Sequence, residues 1–215
     1  NPFRKLRIRF KEPYVLPTVM TCNEVKEILK YLYKLRADNP DTGGYAYKAQ
    51  TRDIAVVELL FATGIRVSEL CELSCDAVDL KQATIKVFGK GSKERVIQIC
   101  SVEVLKILRQ YQRLFAPSKC FFINRLGNRL SSQSVRLLIK RCREEIGIGK
   151  KITPHTFRHT FATLLLEEDV DIKYIQNLLG HSSITTTQIY THVNMNKQKK
   201  ILSSKHPRKK MEMEE

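Results

Sequence analysis

The chain has little that would place it in a membrane or on an export route. Its 215 residues contain no long apolar run and no signal-peptide pattern, the marks of a spanning helix and of secretion. Six cysteines are present, Cys22, Cys71, Cys75, Cys100, Cys120 and Cys142, but they form no CxxC pair. That argues against a disulfide framework and a zinc ribbon, and it leads us to expect reduced, buried thiols in a cytoplasmic protein. Cys71 and Cys75 could share a metal ion only if one helix carried both, and no second pair accompanies them. Clustered carboxylates of the kind that hold catalytic Mg²⁺ are also missing, which counts against a metal-dependent nuclease. No internal repeat is found. The chain starts at Asn1 with no initiator Met, as a fragment of something longer would.

What is abundant is positive charge. Lys and Arg outnumber Asp and Glu by 38 to 22, a formal charge of +16, and the sequence pI is near 9.7. Such a surplus favours a polyanionic partner, either nucleic acid or an acidic membrane surface. The basic residues are spread along the chain instead of lining one amphipathic helix, so nucleic acid is preferred to a membrane. A hydrophobic fraction of 42% suffices for one full core or a large domain with a small appendage.

The fold class expected is mainly α with a small antiparallel β-hairpin or sheet. Residues 1–15 read either as a solvated tail or as a basic interdomain linker remnant, 16–194 as the principal domain, and 195–215 as a tail holding one short helix. Thr21 and Glu24 make a capping-box pattern before a helix from Asn23 to Leu35. Ala37 to Lys48, with Pro40, Gly43 and Gly44, reads as an exposed loop. Gln50 to Thr63 is apolar enough for a buried helix, broken at Gly64, and a new helical turn carries Arg66, Glu69 and Leu70. Arg66 there either pairs with Glu69 or faces an anion in a cleft. Thr84–Phe88 and Lys93–Ile99 flank Gly89-Lys90-Gly91-Ser92, a β-hairpin with Lys90 near its tip. Further helices are expected from Val102 to Phe115 and from Ser134 to Ile146, with Phe121-Phe122-Ile123 between them as a strand or as core. The second of these helices has a polar start and a basic face, so Ser132, Arg136 and Lys140, with Lys93 and Arg95 from the hairpin, are the candidate DNA contacts.

The densest chemistry lies between Ile152 and His192. Thr153 can cap a helix and Pro154 suits its first turn, which places His155, Arg158 and His159 on roughly one face. Another helix from Asp171 to Leu179 should stop at Gly180, leaving His181 just beyond it. Attack on a phosphodiester needs a nucleophile, cations for the nonbridging oxygens and an acid for the leaving alkoxide. Tyr190 can be the nucleophile, Arg66 and Arg158 the cations, and Lys90 the acid, if its pKa is brought down from about 10.4. His155 is a candidate proton acceptor and His181 a hydrogen-bond donor to phosphate. His159 reads more simply as a satisfied core imidazole.

The ordered motifs Thr63-Gly-Ile-Arg66-Val-Ser-Glu-Leu70, Gly89-Lys-Gly91, His155-x-x-Arg158-His159, Leu178-Leu-Gly-His181 and Tyr190-Thr-His192 closely resemble the tyrosine recombinase, or lambda-type integrase, family. Xer-type recombinases and mobile-element integrases look nearest, and the resemblance runs from about Leu16 to Arg208. It implies that Arg66, Lys90, His155, Arg158 and His181 gather around the scissile phosphate while Tyr190 forms a 3′-phosphotyrosyl bond. Lys93 is a nearby rival to Lys90, but the family pattern sets the lysine between the two glycines. No metal and no nucleotide cofactor is implied. The family's N-terminal core-binding domain has no counterpart here, which makes the segment from Arg4 to Lys11 the interdomain linker. The resemblance further implies a tetramer on DNA, a monomer off it, accessory DNA-bending proteins, and docking of the segment from Lys197 to Leu202 on a neighbouring protomer. The loop over 37–49 looks longer than in compact relatives. Type IB topoisomerase-like relaxation and a DNA-binding module without catalysis are the alternative readings.

Overall fold

The computed structural model describes residues 17–88 and 94–180. The linker, Lys90 and Lys93, His181, Tyr190 and the C-terminal tail lie outside the described residues. Seven α-helices and a three-stranded antiparallel sheet make up the described part, in agreement with the expected fold class. None of its helices is long and apolar enough to cross a membrane.

Helix α1 (Cys22–Ala37) starts on the expected capping box, with Glu24 N donating to Thr21 Oγ1 at 3.2 Å and Thr21 N to Glu24 Oε2 at 2.7 Å. The following loop is shorter than expected, because α2 (Tyr45–Thr63) begins at Tyr45. The helix breakers end at Gly44. Asp41 Oδ1 gathers the N–H groups of Gly43 and Gly44 into a tight turn, at 3.2 and 2.8 Å, and the residues from Tyr45 onward are free to be helical. Tyr47 then packs toward Arg36 and accepts a hydrogen bond from Gln110 Nε2 at 3.1 Å.

Helix α2 is the spine. Ile54, Ala55, Val56, Val57, Leu59 and Leu60 are all fully buried, each large side chain contributing about 1.5–3 kcal/mol of burial. Around it pack α1, α4 (Val102–Phe115) and α6 (Pro154–Glu167). α3 (Val67–Glu72) follows α2 directly. The sheet runs β1 (Val78–Asp79), β2 (Thr84–Phe88), β3 (Glu94–Gln98), with Val87 opposite Arg95. β1 was not foreseen; two residues are too few to show a period. Phe121-Phe122-Ile123 is core, as one of the two expectations had it. The buried Tyr111 hydroxyl donates to Phe121 O at 2.8 Å and accepts from Ile123 N at 3.0 Å, which satisfies a segment whose only β pairing among the described residues is the isolated bridges Ser74–Cys120 and Ile123–Arg129. α5 (Ser132–Ile146) begins two residues earlier than expected, on a Ser131 cap.

A small second core joins α6 to α7 (Ile172–Leu179) through Ala162, Ile175 and Leu179. Met20 N donates to Thr160 Oγ1 at 2.8 Å and ties the start of the described chain to α6. All six cysteines are free. The expectation that they are buried holds only for Cys71 and Cys142; Cys22 and Cys100 are exposed, at the start of α1 and beyond β3, where no core lies over them. Cys71 is in α3 and Cys75 in the 3-10 turn after it, so one helix does not carry both.

Candidate active site

Gly64 is where α2 stops, at φ 59°. A side chain there would be excluded twice, by the left-handed backbone and by Phe161 Cδ1 and Leu179 Cδ2, which a Cβ would approach to 2.6 and 2.8 Å. The break turns the chain so that Arg66 becomes the N-cap of α3 and its main-chain N–H reaches Glu69 Oε2 at 2.9 Å. Its guanidinium does two things. Nη1 donates to Glu69 Oε1 at 2.7 Å, and Nη2 donates to Gly180 O at 3.1 Å. The side chain remains 29% exposed, so the expected pairing with Glu69 is present and part of the guanidinium is still open to solvent.

Arg158 arrives from the first turns of α6, whose Thr153 cap and Pro154 start are as expected. It is buried, at 4% exposure. Nη1 donates to Gly64 O at 2.7 Å and Nη2 to Leu179 O at 2.6 Å. Arg66 and Arg158, 92 positions apart by their numbers, thus both reach the last carbonyls of α7. A helix end carries unpaired carbonyls and partial negative charge, so cations are favoured there.

His155 lies at the exposed start of α6. Partial desolvation and the guanidiniums of Arg158, Arg136 and Arg66 hold its imidazole below the ordinary histidine value. At neutral pH it is therefore a neutral group able to accept a proton. His159 is half-buried and shifted the same way by burial, His155 and Arg158. α5 packs against α3 and α6; Arg136 and Lys140 are exposed on that helix, and Lys140 sits 3.9 Å from Glu144. Ser132 turns inward, its hydroxyl 3.8 Å from Cys71 Sγ.

Arg95, expected among the DNA contacts, is bonded within the protein in this structure. Its guanidinium faces inward, 13% exposed. Nη1 and Nη2 grip both oxygens of Glu69 at 2.9 and 2.8 Å, and Nε donates to Leu178 O at 3.1 Å. The signal was present in the strand's alternation, since Arg95 shares the parity of the buried Ile97 and Ile99. Burial alone would raise the Glu69 carboxyl, but the hydrogen bonds from Arg95 and from Arg66 outweigh it and hold the pKa at about 2. Of the six expected catalytic residues, the structure brings Arg66, Arg158 and His155 together. It sets the end of α7 directly before His181, while Lys90, His181 and Tyr190 themselves lie outside the described residues.

The chain is similar in sequence and fold to known proteins. The phage integrase family matches residues 18–197. A tyrosine recombinase of Agathobacter rectalis is 50% identical over 213 residues, covering 97% of this chain and 69% of that protein. A XerD tyrosine recombinase of Staphylococcus saprophyticus is 38% identical over 90% of this chain, which spans 64% of that relative. Among solved structures, a XerH site-specific recombinase bound to its palindromic difH substrate, in a post-cleavage complex, superposes with a TM-score of 0.74 at 25% identity, covering 88% of this chain and 54% of that one.

Proposed function

The chain belongs to the phage integrase family, and on that premise we propose that it is the catalytic domain of a site-specific recombinase that cuts and rejoins duplex DNA. The Tyr190 oxygen attacks the phosphorus, the bond to the 5′ oxygen breaks, and a 3′-phosphotyrosyl link forms as a 5′-hydroxyl leaves. His155 takes the tyrosine proton and Lys90 gives one to the departing oxygen. Arg66, Arg158 and His181 hold the nonbridging oxygens. The link conserves the energy of the broken bond, so rejoining needs only the reverse attack by a 5′-hydroxyl. The observation that carries this reading is the meeting of Arg66 and Arg158 at the Leu179 and Gly180 carbonyls, one residue before His181.

DNA is the partner. The finer picture is a monomer off DNA and a tetramer on it, in the cytoplasm, with DNA-bending proteins assisting, residues 1–15 as linker and 195–215 docking on a neighbouring protomer. Exposed Arg136 and Lys140 on α5, with Lys93, supply backbone contacts. A nicked suicide duplex incubated with the protein in EDTA, then denatured, tests the chemistry. A covalent adduct is expected, and none with Tyr190→Phe. An adduct that survives Tyr190→Phe would remove the nucleophile from this scheme.

A further inference from the structure

Arg95 is bonded to two elements at once. From β3 its Nη atoms reach Glu69 on α3, and its Nε reaches Leu178 O at the end of α7. Glu69 in turn holds Arg66 by both the main-chain N–H and Nη1. Three successive carbonyls, Leu178, Leu179 and Gly180, therefore accept from three arginines, Arg95, Arg158 and Arg66. Two of the three belong to the phosphate-binding set. The third, Arg95, is turned to Glu69 and Leu178 O.

We infer that Arg95 is a positioning residue, a strut that sets the guanidinium of Arg66 and the C-terminal end of α7 in register with each other. This rests on the reading of Arg66 given above. Three observations carry the inference. A fork gripping both oxygens of a carboxylate fixes the plane of the pair, which a single donor cannot do. The strut also lies across Gly180: a Cβ there would come within 2.9 Å of Arg95 Nη1 and 3.2 Å of Cδ and Cζ. The helix end is thus fitted to the guanidinium as well as bonded to it, and glycine is needed at 180 for two reasons, the left-handed cap at φ 65° and this contact. Finally, α7 packs through Ala162, Ile175 and Leu179, with Phe161, Leu165, Leu166 and Val170 around them, and the three arginines bond the carbonyls at its very end. His181 follows Gly180 in the chain, and its backbone starts from wherever Arg95, Arg66 and Arg158 hold that end.

A positioning role and a DNA contact separate cleanly in experiment. Arg95→Lys and Arg95→Ala are compared with the wild-type chain for binding to a cognate duplex, for single-turnover cleavage of the suicide substrate and for thermal unfolding. Lysine keeps the charge and loses the fork. Both variants are expected to bind DNA within about twofold, with an unchanged salt dependence, and to cleave about a hundredfold more slowly, the cost of roughly an ångström of misplacement. Weakened binding with a shallower salt slope would make Arg95 a phosphate contact and overturn the inference, as would unimpaired cleavage. A double-mutant cycle with Arg66→Lys tells a strut from a general loss of stability. If Arg95 acts through Arg66, the double variant cleaves little more slowly than Arg66→Lys alone, whereas multiplicative losses would overturn the coupling. Hydrogen exchange supplies a readout independent of the chemistry. Arg95→Ala should speed amide exchange at residues 175–180 and leave α2 and α4 as they were; unchanged exchange at 175–180 would refute the strut even if the Tyr190 reading failed for other reasons.

Discussion

Glu69 and Asp53 are each buried and each flanked by two arginines, yet burial is overridden at the first and prevails at the second. Glu69 is held at about 2, whereas burial pushes Asp53 up in spite of Arg52 and Arg141. The difference is geometric. Both Glu69 oxygens are gripped by the Arg95 fork and again by Arg66, once from the main chain, at 2.7 to 2.9 Å. Asp53 receives Arg52 on one oxygen only, at 2.8 and 3.1 Å. Its other oxygen meets Arg141 at 3.3 Å, and that side chain is 54% exposed. Charge count is the same in the two places. Arg52 is itself anchored, to Ile123 O at 3.4 Å, so what differs is the grip: Glu69 has close donors on both oxygens, whereas Asp53 has its two close donors on one. Glu69 therefore joins α3 to β3 beside the reacting centre. Asp53 staples α2 to itself and loosely to α5.

The comparison is broken most severely at the arginines of the candidate site. Arg66→Ala or Arg158→Lys should lower single-turnover cleavage by roughly two to four powers of ten, about 3–5 kcal/mol of transition-state stabilisation, with DNA affinity within a few-fold. A defect in affinity alone would reduce both to ordinary backbone contacts. Arg52→Ala, at the other carboxylate, should leave cleavage by the folded protein near wild type.

Next in size are the carboxylates. Glu69→Gln should cost about 3 kcal/mol in urea unfolding at neutral pH, because it leaves Arg66 and Arg95 facing a neutral group. Asp53→Asn should cost about 1 kcal/mol. Their pH dependence runs in opposite senses. Glu69 has a folded pKa of about 2, below its ordinary 4.5, so its contribution is full above 4.5 and is lost as pH falls toward 2. Asp53 is raised above 3.8; the penalty of keeping it ionised applies above its folded value and disappears below 3.8. Acidifying from about pH 5 to about pH 3 should accordingly narrow the gap between wild type and Glu69→Gln, and shift the gap with Asp53→Asn in favour of wild type. Gaps that move together would mean the two clusters are alike after all. Smallest is Arg141→Ala, where the exposed, longer pair should change unfolding by under about 1 kcal/mol.

Helix ends were the most readable part of the chain. Thr21 with Glu24, Thr153 with Pro154 and Asp171 with Gly180 each acted where the sequence placed them, because a cap is settled within four residues. The loop after α1 was read too long for the opposite reason. Tyr45 to Lys48 carry no signal of their own, and their helix is secured by Gln110, 63 positions away from Tyr47. Arg95 looks like a DNA contact in sequence because it is a basic residue in a hairpin near a phosphate-binding motif, yet in the structure it holds Glu69 and Leu178 O. Its parity with Ile97 pointed inward, but parity names a face and not a partner.

By itself the sequence determined the helical class, the hairpin, the basic partner preference and the order of motifs that marks the family, since each of these rests on local spacing or on summed charge. Only the tertiary structure decided what each guanidinium touches. Five donors in a planar fork suit a phosphate, a carboxylate and a row of backbone carbonyls equally well. Which of these an arginine meets depends on chain segments as far off as Gly180 is from Arg66, 114 positions, or Leu178 from Arg95, 83 positions, and no local pattern carries that distance.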